Sequence, residues 1–301
     1  MIKLKGKIGI GFICSTYNST LSTNHTLILK NLNKKNVIKC VNRNLEDLIK
    51  LLELSKNLGC KIFRLGSQFI PFASHPKFNK NWFKEIEKII IDYLPEIKKY
   101  NIRITMHPGQ YVILSTDNKK ILKRSLTELR YHFWVLEKLE VDQNGIVVIH
   151  GGGEYGNKLK AMKNLIKNIE NNKWLKERLA LENDDKIYNA KDILEICQCL
   201  NIPFVFDYFH HQIFFSQINF KEIFKTWGYR IPEFHISSSG RSKYKHGDYV
   251  NIKDFKDFIK TFQRDLTDNI KRIDILLEAK KKELAVRKLI LGLKNEKYLL
   301  V

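Results

Sequence analysis

Cysteine is scarce in this 301-residue chain, and the few present form no pattern. The five are Cys14, Cys40, Cys60, Cys197 and Cys199, an odd count with no C-x-x-C pair. That excludes a disulfide framework and a cysteine zinc site. It implies a reducing, intracellular setting: the cytoplasm, or the nucleus or a viral factory for a eukaryotic or viral source. No apolar run approaches the ~18 residues that cross a bilayer, so no membrane partner is expected. Residues 3–14 imitate a signal peptide, with lysines ahead of Ile8-Gly9-Ile10-Gly11-Phe12-Ile13. The apolar part is short and no small-residue cleavage site follows, so a buried first strand is the better reading. Acidic residues are also few, 32 against 53 Lys+Arg, for a net charge of +21. Lys, Asn and Ile are abundant throughout, as AT-rich coding produces, and the charge is spread rather than gathered in a tail. A fold does not need such an excess, and it points to a polyanionic partner.

What is present is a regular alternation. Short β-branched or apolar runs at 7–12, 61–65, 102–106, 145–149, 178–181, 203–206, 231–234 and 272–277 read as strands. Stretches of helical periodicity follow, at 44–58, 82–100, 119–139, 158–171, 189–200, 219–227, 251–263 and 281–293. Pro95 should kink or break the second of these. Eight strand–helix units with 44% hydrophobic content predict a TIM (β/α)8 barrel, an α/β single domain over 1–301 with a polar insertion at about 15–43. An open doubly wound sheet is the alternative, but Gly9-x-Gly11 lacks the third glycine of a dinucleotide loop.

In such a barrel all C-terminal strand ends share one face. His107, His150, Glu182, Asp207 with His210, His235 and Glu278 stand at those ends, and His75 and His246 lie in the loops beyond. Any one of them has a plain reading, as a hydrogen-bonded polar residue or a helix cap. The set is different: seven of the nine histidines fall at or just after strand ends, leaving His25 and His132 as structural residues and His211 ambiguous. Imidazole and carboxylate without thiolate suits Mn2+, Zn2+ or Fe. So many donors exceed the needs of one ion, and about two to three are expected, with Glu182 as the central bridge. Asp184 and Asp185 read as capping or supporting residues, and Asn183 has no assigned part. Paired metals hydrolyse phosphodiesters, and a basic surface attracts the polymer that carries them.

The motifs resemble the UV damage endonuclease family (UvdE/UvsE) from the first strand to the last helix. They run Asn44-Leu45-x-Asp47-Leu48, Phe63-Arg64-Leu65-x-Ser67, Pro71-x-x-Ser74-His75 and His107-Pro108-x-Gln110-Tyr111. They continue His150-x-Gly152-Gly153-x-Tyr155-Gly156-x-Lys158, Leu181-Glu182-Asn183-Asp184-Asp185, Asp207-x-x-His210-His211 and His235-Ile236-Ser237-Ser238. His246-x-Asp248-Tyr249 and Leu277-Glu278-Ala279-Lys280-x-Lys282 complete them. The resemblance implies a barrel related to endonuclease IV. It implies divalent-metal-dependent incision 5′ to cyclobutane pyrimidine dimers and 6-4 photoproducts in duplex DNA, with Mn2+ first and Zn2+ or Mg2+ as alternatives, by a monomer. Its metal ligands would be His107, His150, Glu182, Asp207, His210, His235, His246 and Glu278. Glu182, Glu233 and His75 would be catalytic. Gln110 and Tyr111 would probe the duplex where damaged bases leave the stack, and Phe12, Arg64, Tyr155, Lys158 and Ser238 would also face DNA. Four positions depart from the family pattern: Glu233 for a lysine that is carboxylated in some members, Phe12 for a tyrosine, Leu54-Ser55 for Trp-Asn, and Gly66 for a serine. Glu233 is expected to supply the carboxylate directly. Competing readings are an apurinic-site endonuclease, a metal-dependent sugar isomerase or epimerase, and a non-catalytic damage binder.

Overall fold

The structure, a computed structural model, describes residues 8–18, 20–242, 244–267 and 269–295. Its strands are β1 (Ile8–Ile13), β2 (Ile62–Leu65), β3 (Arg103–Met106), β4 (Val147–His150), β5 (Leu179–Glu182), β6 (Phe204–Asp207), β7 (Glu233–Ile236) and β8 (Ile273–Leu277). The helices are α1 (Lys34–Asn57), α2 (Phe83–Lys98), α3 (Lys119–Lys138), α4 (Lys158–Glu170), α5 (Ala190–Leu200), α6 (Tyr208–Ile213), α7 (Phe220–Thr226), α8 (Ile252–Phe262) and α9 (Lys282–Asn295). Every strand pairs in parallel with its sequence neighbour, and β1 also pairs with β8, Ile8 opposite Ile273 and Ile10 opposite Ile275. The sheet closes as a TIM barrel. Residues 8–13 are therefore a central strand; Lys7 and the lysines before it lie outside the described residues.

Alternation along each strand sorts side chains into two environments. One set, including Ile10, Phe12, Phe63, Ile104, Phe206, Phe234 and Ile275, faces the helices and joins the main core. The other set fills the barrel in layers, as this fold requires. At the bottom Ile146, Val148, Ala180, Val205 and Trp227 form a small apolar plug. Level with it, at the strand starts, lies a charged layer. Arg103 reaches Asp274 at 3.1 Å and Glu233 at 3.2 Å, all three buried. β1 makes room by presenting glycine to this interior: a Cβ on Gly9 would sit 2.2 Å from Asp274 Oδ1, and one on Gly11 would sit 1.9 Å from the Ile62 carbonyl oxygen. The top layer is the ring of strand ends.

Three expectations change. α1 starts at Lys34, not 44, because Val37 and Val41 extend the buried stripe of Leu45, Leu48 and Leu52, and the Asn33 side chain caps the new start by accepting from Asn36 N–H. Among the described residues, the polar stretch from 15 to the α1 cap at Asn33 holds no α-helix. Its backbone is clamped to α1, where Asn44 Oδ1 accepts from His25 N–H at 2.8 Å and Asp47 Oδ2 accepts from Ser22 N–H at 3.1 Å. α2 runs through Pro95 to Lys98. The carbonyl that proline leaves without a helical donor belongs to Ile91, an exposed residue that water can serve. Finally, α6 is a short helix the periodicity did not suggest, started by Asp207 accepting from His210 N–H at 2.7 Å.

Candidate metal centre

The strand ends bring the donors together around Glu182, the last residue of β5. Among the described residues three groups have donor atoms all within 4.8 Å: His107 with His150 and Glu182; Glu182 with His235 and Glu278; Glu182 with Asp207 and His210. Glu182 belongs to all three, and its two oxygens face different ways. Oε2 lies 3.0 Å from His107 Nε2 and 3.5 Å from His150 Nε2. Oε1 lies 3.0 Å from His235 Nδ1 and 3.7 Å from His210 Nδ1.

The imidazoles are oriented by backbone carbonyls. His107 Nδ1 meets the Pro108 carbonyl at 2.8 Å, His210 Nδ1 the Asn183 carbonyl at 2.9 Å, and His246 Nδ1 the Glu278 carbonyl at 2.8 Å. An N–H donated there frees Nε2 as the lone-pair atom, the usual support for a ligating histidine. His246 sits beside His210, ring centroids 6.1 Å apart, at the edge of the three groups.

Asn183 proves to be the hinge pin of the centre. It is fully buried, donates from Nδ2 to the Asp207 carbonyl at 3.0 Å and accepts from Asp207 N–H at 2.9 Å. It thereby fixes the end of β6 against the end of β5. Asp184 caps its own loop by accepting from Lys186, Ile187 and Tyr188 N–H groups.

The donor set fits divalent metal. Three carboxylates and several imidazoles share a mostly buried basin, and Glu182 Oε1 and Asp207 Oδ2 are buried without accepting a hydrogen bond. Such lone pairs are costly unless a cation meets them. The electrostatics agree. Burial opposes ionisation of Glu182, yet His235 and His150 hold its carboxyl well below the usual range. Burial likewise opposes protonation of His235, but Glu182 pushes it up to about 10; Asp207 and Glu182 push His210 up to about 9. The basin draws positive charge strongly, and a divalent ion would replace those protons.

The sequence profile of the family UV-endonuclease UvdE matches residues 13–299. The chain belongs to the UvdE family of UV endonucleases. It is 32% identical over 300 residues to a UV DNA damage endonuclease of Clostridium perfringens, an alignment covering 95% of this chain and 71% of that one. The crystal structure of SacUVDE matches with a TM-score of 0.86 at 30% identity, over 97% of this chain and all (100%) of that one. An AP endonuclease, family 2, from Brucella melitensis matches with a TM-score of 0.54 at 11% identity over 96% of this chain and 98% of that one, a likeness of fold alone.

Several residues that UvdE resemblance assigns to DNA lie elsewhere. Phe12 faces out of the barrel and is fully buried, its ring 5.4 Å from Phe63 in an edge contact, so it meets helices rather than bases. Arg64 points into the barrel and pairs with Glu278 and His235, making it part of the centre. Ser238 is buried, donates to Asp254 and accepts from Asn251 N–H, which secures the start of α8. Glu233 does not join the three donor groups. It lies one layer below, between Arg103 and His235 Nε2 at 3.2 Å, where it positions His235 and balances arginine. His75 is not in the three donor groups either; it stands on the wall of a groove with Tyr111, its Nδ1 accepting from Lys77 N–H. Gln110, Tyr111 and Tyr155 are exposed at the rim, and Lys158 is paired with Asp192 at 2.5 Å. His25 is tied to Asp47 and His132 to the Glu128 carbonyl, both structural as expected. His211 turns to the other side of α6 against Phe206 and Phe215, where burial pushes its imidazole down to about 4.

Proposed function

We propose that this UvdE-family endonuclease hydrolyses the phosphodiester 5′ to cyclobutane pyrimidine dimers and 6-4 photoproducts in duplex DNA, opening an excision repair pathway. The observation that carries the reading is the convergence of three donor groups on one buried carboxylate, Glu182, at the mouth of the barrel. His107, His150, Glu182, Asp207, His210, His235 and Glu278, with His246 alongside, would hold about two to three divalent ions. The nitrogen and oxygen donor set suits Mn2+, with Zn2+ or Mg2+ as alternatives. Ions bound there would lower the pKa of an attacking water and neutralise charge building on phosphate oxygens.

The chain's own work is positioning. Glu182 spans the groups with its two oxygens. Asn183 and the backbone carbonyls hold Asp207, His107, His210 and His246 in place, and Glu233 holds His235. Arg64 keeps a fixed positive charge beside Glu278, where burial resists ionisation but the guanidinium holds the carboxyl far below its usual range. Gln110 and Tyr111 offer a planar amide and a ring to a stack that a lesion has opened, with Tyr155 on the adjoining loop and Lys158 at the start of α4. The net charge of +21 supplies the attraction to duplex DNA, and we place the working enzyme as an intracellular monomer with one catalytic domain over 1–301.

The test uses three duplexes, carrying a dimer, an abasic site or no damage, each with Mn2+ and after chelation. Cleavage 5′ to the dimer that chelation abolishes is expected. Preference for the abasic duplex would replace this reading with an apurinic-site endonuclease.

A further inference from the structure

Tyr111 is an exposed side chain that is nevertheless tied down. The residue is 58% exposed, yet its hydroxyl donates at 3.0 Å to Oε1 of Glu128, a residue of α3 that is itself only 5% exposed. The ring lies back across Gly109: a Cβ there would sit 2.4 Å from Tyr111 Cε1. Glycine at 109 is what lets the ring lie in that place. The neighbouring strand end repeats the arrangement, with the Tyr155 ring 3.2 Å from where a Cβ on Gly153 would be. Glu128 is held in turn. Its second oxygen accepts from Ser74 Oγ, across a groove of about 500 Å³ that His75, Phe72 and Arg124 also line. The carboxylate is thus aimed at Tyr111 by two elements, α3 and the loop after β2.

We propose that Glu128 is a positioning residue that parks Tyr111 against the protein in the free enzyme, so that entry of the ring into duplex DNA requires this hydrogen bond to break. The inference rests on the reading of Tyr111 as a DNA probe. A ring folded over Gly109 with its hydroxyl bound to a buried carboxylate is not extended toward a ligand. Partial burial and the nearby Glu128 charge both push the Tyr111 phenol above its ordinary pKa, so the hydroxyl stays protonated and donates. Hydrogen bonds to charged acceptors are the stronger kind, so the parked state dominates until a binding partner offsets it. Apparent affinity is then reduced by the fraction of enzyme whose ring is free. Release of the ring taxes its entry into any duplex alike. Intact duplex, whose stack resists entry, does not repay release of the ring, and a lesion that has weakened the stack does.

The experiment is single-turnover incision of a dimer-containing duplex by metal-loaded enzyme in excess, with the half-saturating enzyme concentration as the readout. Tyr111→Phe keeps the ring and removes the donor. Glu128→Gln keeps the shape and removes the charge. Each should lower the half-saturating concentration about three- to tenfold, and the double variant should go no lower than the better single one. Glu128 acting only as support for α3 would give no such coupling to a hydroxyl on another loop. Unchanged or raised concentrations in both single variants, or gains that multiply in the double variant, would overturn the proposal. Tyr111→Ala separates the two layers of inference. It should raise the half-saturating concentration, because the probe is gone. A wild-type value there would refute the probe role itself, and with it the parking of that probe.

Discussion

Glu233→Gln decides whether this carboxylate belongs to the metal centre or to the charged layer beneath it. Glu233 is fully buried, with Arg103 at 3.2 Å, Arg64 at 3.8 Å and His235 at 3.2 Å. Burial opposes its ionisation, but His235 and Arg103 hold its carboxyl below the ordinary range, so the native group is charged. Removing one partner of a buried ion pair costs about 3–5 kcal/mol, because the other charge is left uncompensated. Arg103 keeps Asp274 at 3.1 Å and Arg64 keeps Glu278, which places the loss near the lower end, about 3 kcal/mol. That is roughly two orders of magnitude in the folding equilibrium. The assay is urea unfolding of wild type and variant, both with Mn2+ and after exhaustive chelation. A residue of the charged layer destabilises the metal-free protein by the full amount when neutralised. If chelated wild type and chelated Glu233→Gln unfold together, and the variant is weaker only with metal present, the reasoning is wrong and Glu233 is a ligand.

Asn183→Ala leaves the buried Asp207 N–H without its partner and takes one of the donors from the Asp207 carbonyl, and should cost about 1–3 kcal/mol in unfolding while weakening metal binding through the displaced β6 end. Normal metal affinity with normal stability would remove Asn183 from the centre's support. Phe12→Tyr restores the ring type usual in the family but buries a hydroxyl beside Phe63, so it should lose about 1–3 kcal/mol of stability and gain nothing in lesion discrimination. A gain in discrimination measured on dimer against intact duplex would return Phe12 to the DNA face.

The barrel was legible because its strands are short, apolar and each ends in a chemical group that apolar packing does not need. His107, His150, Glu182, Asp207, His235 and Glu278 repeat that punctuation, and the fold turns six distant positions into one basin. The direction in which Phe12 points was also available: Gly9 and Gly11 alternate with Ile10 and Phe12, so the large side chains face the helices. Depth was not available. Period-two alternation says that Arg64 and Glu233 face the barrel interior, but not that Arg64 reaches Glu278 or that Glu233 stops one layer lower, beside Arg103. Those facts depend on the stagger between strands. The early start of α1 was hidden because Val37-Ile38 and Cys40-Val41 are short apolar pairs within a stretch rich in lysine and asparagine. The bond from Tyr111 to Glu128 joins a loop to a helix, and no local pattern announces it. Asn183 illustrates the same limit: a buried amide in an acidic run looks like a loop residue until β6 is placed beside it.

The central claim is that Glu182 is the shared ligand of one multi-ion centre. Glu182→Gln tests it most directly when bound metal per chain and incision of a dimer-containing duplex are measured on the same preparation. The account predicts fewer bound ions, incision reduced by roughly a thousandfold or more, and lesion binding largely retained. Incision at the wild-type rate with a full complement of metal would contradict it.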